Sequence, residues 1–132
     1  MKMFKKRVFL VVLLTFMMSG IELTAQVPDE VFQSLRSGNA RVLASYFNQN
    51  IELVILDNDN VYSKAQAEQI VSNFFTQYPP ERFEEKHTRG KEDAQYVIGN
   101  LITRQETFRV YFLLKKSGDR VIIHQLRIEK ED

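Results

Sequence analysis

The chain has 132 residues, 44% hydrophobic and 27% charged, which fits one globular domain and excludes a disordered, collagen-like or multi-span membrane protein. It has no cysteine, no tryptophan and two histidines, so a disulfide scaffold, a thiol nucleophile and a thiolate metal site are all excluded. The formal charge of +1 offers no electrostatic footprint for nucleic acid.

The chain opens with Lys2, Lys5, Lys6 and Arg7, then runs apolar from Val8 to Met18 apart from Thr15. Ser19 and Gly20 end the run, and Leu23-Thr24-Ala25 precedes Gln26. This is the layout of a secretory signal peptide, expected over residues 1–25 with cleavage after Ala25. The run is about half of the roughly 20 residues a spanning helix needs, so no stable membrane insertion is expected after cleavage. Without cysteine there is no lipidation site. Removing four basic residues and Glu22 from totals of 18 and 17 leaves 14 basic and 16 acidic residues, a net charge of −2. The remaining residues 26–132 are read as one domain.

Pro28 suits the first turn of a helix, with Asp29 and Glu30 complementing its dipole and Gly38 stopping it. Asn39 can cap a second short helix, Ala40 to Phe47. Ile51 to Leu56 is rich in β-branched residues and reads as a strand. Asp57-Asn58-Asp59-Asn60 reads as the following turn, with Val61-Tyr62 returning. Ser63 and Gln66 have capping-box spacing at the start of a long helix. Ala67, Ile70, Val71, Phe74, Phe75 and Tyr78 make one apolar stripe on it, and Pro79-Pro80 ends it. Strands are then predicted from Arg82 to Arg89, Ala94 to Thr103, Thr107 to Lys116 and Arg120 to Glu129. Gly99 marks a bulge or bend in the second of these, and Ser117-Gly118-Asp119 a hairpin turn. Helices early and strands late predict an α+β fold, with helices on one face of a mostly antiparallel sheet.

This order resembles the NTF2-like (cystatin-like α+β) superfamily. The residues that carry the resemblance are Ser63-Lys64-Ala65-Gln66-Ala67 opening the long helix and Phe74-Phe75 near its end. Tyr96-Val97-Ile98-Gly99-Asn100-Leu101 and Phe108-Arg109-Val110-Tyr111-Phe112 carry it in the strands. With the secretion signal, the chain is similar to the DUF4783 family of small secreted Bacteroidetes-type proteins. The resemblance implies a cone in which a curved sheet wraps the long helix and leaves a pocket at the wide end. It implies a secreted, periplasmic protein and leaves the chemistry open, because one fold hosts many functions.

Strand alternation puts Phe83, Glu85 and His87 on one face. Glu85 and His87 are therefore the candidate acid–base pair, should the pocket be catalytic. His124 is expected on one face with Ile122, Leu126 and Ile128. Asp57, Asp59 and Glu68 have calcium-loop spacing, but Val61 and Tyr62 stand where a ligand oxygen and a glycine belong. No metal or cofactor is expected. No phosphate loop, nucleophile elbow or zinc-helix motif occurs.

The pocket is expected to use Phe74, Phe75, Tyr78, Phe83, Tyr96 and Phe108, with His124 as a polar group. With Phe108, Val110, Phe112 and Leu114 facing the helices, the outer face is read as Val97, Leu101, Tyr111, Leu113, Val121 and Ile123, with Arg109, Gln125 and Arg127 among them. An apolar outer face marks an interface, and a homodimer through it is the expected partner contact. The leading function is non-catalytic binding of a small apolar or amphipathic ligand, or of a protein partner, in the cell envelope. The alternative is a small isomerase or hydratase using Glu85 or His87 as base and a tyrosine hydroxyl as donor.

Overall fold

The computed structural model describes residues 27–91 and 93–131. The signal-peptide expectation lies outside the described residues.

Helix α1 spans Asp29–Ser37, with Asp29 and Glu30 in its first turn and Arg36 in its last. Both ends complement the helix dipole. Gly38 closes it in the left-handed conformation, at φ 68°, where a Cβ is disfavoured. Helix α2 covers Ala40–Ala44, and the Asn39 side chain accepts a 3.1 Å hydrogen bond from the Val42 N–H. This helix is shorter than its apolar spacing suggests. The Tyr46 carbonyl accepts a 2.7 Å bond from the Ile123 N–H, which draws the chain into the sheet from Phe47 onward.

Strand β1 (Phe47–Ile55) turns tightly into β2 (Asn58–Ser63). The turn therefore sits at Leu56-Asp57, not at residues 57–60. Leu56 adopts φ 53° and its N–H donates to the Ile128 carbonyl at 3.0 Å. Helix α3 (Lys64–Gln77) opens with a complete capping box. The Gln66 N–H donates to Ser63 Oγ at 3.2 Å, and the Ser63 N–H donates to Gln66 Oε1 at 3.3 Å. Ala67, Val71, Phe74 and Phe75 form its buried stripe.

Four strands follow: β3 (Pro80–Lys91), β4 (Ala94–Thr103), β5 (Thr107–Ser117) and β6 (Arg120–Lys130). The sheet order is β2-β1-β6-β5-β4-β3. Only β1 and β6 pair in parallel; the other neighbours are antiparallel. The helices pack on one face, α1 against β3 and α3 against β1. The core between them is apolar and includes Leu35, Leu43, Ile51, Leu53, Val71, Phe112 and Leu126. The architecture is α+β, as the order of elements predicts.

Two bulges decide which side chains enter this core. In β3 the register steps between Glu85 and His87, so that Glu85 pairs with Gly99 and His87 with Ile98. In β6, Leu114 pairs with Ile123 and Leu113 with Gln125, which leaves His124 as the extra residue. A bulge reverses the facing of every residue beyond it.

Candidate functional site

The cone is filled largely by its own side chains. Phe74 packs edge-on against Phe108 at 5.0 Å between ring centroids, and Tyr78 does so at 4.8 Å. Phe83 stacks on Phe32 at 5.9 Å. Phe74, Phe75, Phe83 and Phe108 are all buried in the core. Of the aromatics expected to line a pocket, Phe74 and Tyr78 border a cleft on the helix side of the sheet.

That space is a cleft of about 830 Å³ between the second half of α3, the β1–β2 turn and the end of β6. Its apolar base is Ile55, Leu56, Ile70, Phe74 and Tyr78. Its rim is polar: Asp57, Asn58, Asn73, Gln77 and Lys130, all exposed. Glu129 also borders it, but its carboxylate accepts a 2.8 Å bond from the Arg127 guanidinium. The volume lies within the roughly 300–1,000 Å³ typical of small-molecule sites. Gln105 steadies this end of the molecule by donating from Nε2 to the Gln77 carbonyl at 3.1 Å. The α3 pattern held a signal for the cleft. Asn73 and Gln77 sit beside Phe74 and Tyr78 at four-residue spacing, making a polar margin on an apolar stripe.

Glu85 and His87 do not form the expected pair. The β3 bulge sends them to opposite faces, and both are exposed. Glu85 instead accepts a hydrogen bond from the Thr88 hydroxyl. Neither residue borders the cleft. His124 also leaves the face of Leu126 and Ile128, because it is the bulged residue of β6. It is half-buried, and partial burial followed by the charge of Lys115 holds its imidazole below the usual value of 6.5. Among the described residues, no three histidine, aspartate or glutamate side chains converge as metal ligands.

The outer face needs a second correction. Val97 and Leu101 are fully buried in the core, because they pair directly with Phe112 and Phe108 and share their face. Ile123 is fully buried too, brought inward opposite Leu114 by the β6 bulge. Val121 follows the same alternation and packs against the core. Tyr111 and Leu113 remain on the outer face, as expected. Tyr96, placed in the pocket by its sequence context, lies there instead. It is 44% exposed and its ring centroid is 5.6 Å from that of Tyr111. Burial, and then the neighbouring Tyr96, push the Tyr111 hydroxyl pKa upward. Two shallow, adjoining grooves cross this face, one along Arg109, Tyr111, Gln125 and Arg127, the other along His87, Arg89, Tyr96 and Ile98.

No curated protein sequence matches the chain. Among solved structures, it is similar to a DUF4783 family protein from Bacteroides uniformis ATCC 8492, with 30% identity, a TM-score of 0.76, and coverage of 81% of this chain and 99% of that one. A DUF4783 family protein from Bacteroides ovatus ATCC 8483 gives 29% identity and the same TM-score of 0.76, covering 80% of this chain and 96% of that one. A designed NTF2 protein shares the fold at 11% identity and a TM-score of 0.61, covering 76% of this chain and 90% of that one. The model of the domain of unknown function DUF4783 matches residues 28–129, and the chain belongs to the DUF4783 family.

Proposed function

We propose that this is a secreted, non-catalytic binding domain that takes a small amphipathic molecule in the cleft between α3 and the β1–β2 turn. The observation that carries the reading is the make-up of the cleft. Its base is aliphatic and aromatic, and its rim offers the Asn58, Asn73 and Gln77 amides beside Asp57 and Lys130. An apolar body would bury against Phe74, Tyr78 and Ile70, each Å² removed from water contributing about 25 cal/mol. A polar head would meet the amides at the rim. A purely apolar ligand fits less well, because it would strip water from those amides without replacing their hydrogen bonds.

Secretion is supported by the basic start, the apolar run and Ala25, with the family match beginning at residue 28. No described helix is long and apolar enough to cross a membrane. The catalytic alternative loses its support, since Glu85 and His87 lie away from the cleft.

The test is native mass spectrometry on the protein recovered from its own host, alongside Asn73→Trp. Asn73 is exposed at the rim, so an indole there can fill the cleft without replacing a core residue. The expected result is an extra mass of about a few hundred daltons, the size such a volume holds, retained by the wild type and absent from Asn73→Trp. A wild type that carries no added mass, and gives no saturable fluorescence with anilinonaphthalene sulfonate, would overturn the reading.

A further inference from the structure

The outer sheet face carries a charge gradient across its strands, and the strand register defines it. One row reads Asp59, Val54, Arg127, Tyr111, Ile98 and His87 from β2 to β3. The next reads Val61, Glu52, Gln125, Leu113, Tyr96 and Arg89. Carboxylates therefore stand at the β2–β1 side and cationic or imidazole groups at the β3 side; between them lie Arg127 and Gln125 on β6 and an apolar, aromatic band on β5 and β4. Lys91 extends the basic side by one further row, paired with Ala94. The row towards the other end holds Asn100 and Arg109 between two carboxylates, Glu84 and Glu129. Both are already engaged, Glu84 by Arg82 and Lys86, and Glu129 by Arg127.

From this gradient we infer that the occupant of the outer face is a second copy of the chain, stacked face to face about a two-fold axis that runs parallel to the strands between β5 and β6. Such an axis exchanges left and right across the sheet and keeps each row level. It sets Asp59 of one copy over His87 of the other, and Glu52 beside Tyr96 and Arg89. Val54 meets Ile98, and the Arg127 guanidinium meets the Tyr111 ring, an arrangement that favours a cation over an aromatic face. The other face-to-face axis, running across the strands, lays acid on acid and base on base. Like charges brought together in this way oppose association. The face is thus complementary to itself in one orientation only, which is what an isologous interface requires. Its aligned strands also suit sheet-on-sheet packing at about 10 Å. A partner of uniform charge would match one side of the face and be repelled by the other. This interface is separate from the cleft and does not depend on the ligand reading.

The test is sedimentation velocity on the protein secreted from its own host, in four samples. These are the wild type, the acidic-side reversal E52R/D59R, the basic-side reversal H87E/R89E, and an equal mixture of the two reversals. All four positions are exposed, so circular dichroism should be unchanged. The wild type is expected to be a dimer at micromolar concentration. Each reversal alone should weaken dimerisation by at least about tenfold, and the mixture should recover it, because reversed faces then complement each other across the two-fold. A monomeric wild type at about 100 μM, well above the dissociation constants of specific interfaces, would overturn the inference. So would reversals that dimerise as well as the wild type, or a mixture that stays monomeric.

Discussion

The Phe83 ring covers Gly99 across the β3–β4 pairing and, with the Glu84 carbonyl, fills the space in which a side chain on residue 99 would sit. Phe83 in turn stacks on Phe32 of α1. The β3 bulge and the seating of the first helix therefore meet at one glycine. Gly99→Ala is expected to destabilise the fold by about 1–3 kcal/mol, the usual cost of overpacking a dense core. Urea unfolding measures this directly. Gly99→Ala combined with Phe83→Leu should regain part of the loss, because the smaller side chain yields room. A Gly99→Ala variant as stable as the wild type would show that both the ring and the Glu84 carbonyl give way freely.

The start of α3 rests on Ser63, whose hydroxyl accepts from the Gln66 N–H while the Gln66 side chain accepts from the Ser63 N–H. Ser63→Ala removes one half of this reciprocal cap. The expected cost is about 1 kcal/mol, read as a lowered urea midpoint with an unchanged denaturant slope. Ser63→Asp should retain most of the stability, since its carboxylate can accept the same bond and favours the helix dipole.

His124 supplies a pH dependence. Partial burial and the nearby Lys115 hold its imidazole below the usual value of 6.5, so the folded chain binds its proton less readily than the unfolded chain does. The unfolded state then holds more protons in the window just below 6.5, and stability must rise with pH through that window. The penalty is complete below the folded value and absent above about 6.5. Relative to His124→Gln, the wild type should lose stability between about pH 7.5 and pH 5.5. Paired urea titrations at the two pH values check the difference. Equal losses in both proteins would mean that His124 takes no part.

Much of the architecture was legible in the residues. The α3 stripe, its Ser63–Gln66 cap and the Gly38 stop are local features, set by helical spacing and backbone conformation, and each appears where expected. The late strands were legible for a similar reason. Runs such as Phe108 to Leu114 are too rich in β-branched and aromatic residues to suit another element. The β1–β2 turn was misplaced by two residues. Asp57 to Asn60 carries turn-prone side chains, yet β1 pairs with β6 through Ile55, which pulls the turn back to Leu56-Asp57.

The candidate sites were less legible. Tyr111 and Leu113 were correctly assigned to the outer face, and Phe74 and Tyr78 to open space. Phe75, Phe83 and Phe108, which lie in the core, were not, and neither were Glu85, His87, Tyr96, Val97, Leu101, Val121, Ile123 and His124. Alternation along a strand gives which residues share a face, but not which face that is. Pairing across strands fixes it: Val97 is inside because it lies opposite Phe112.

By itself, then, the sequence determined the order, type and capping of the elements, because those follow from interactions within a few residues. The tertiary structure alone decided the facing of β3, β4 and β6, and with it the cleft and the charge gradient. The physical reason is that an extra residue at Lys86 or His124 costs little locally, so no nearby residue announces it. Its consequence is felt only when the next strand pairs and every side chain beyond it changes sides.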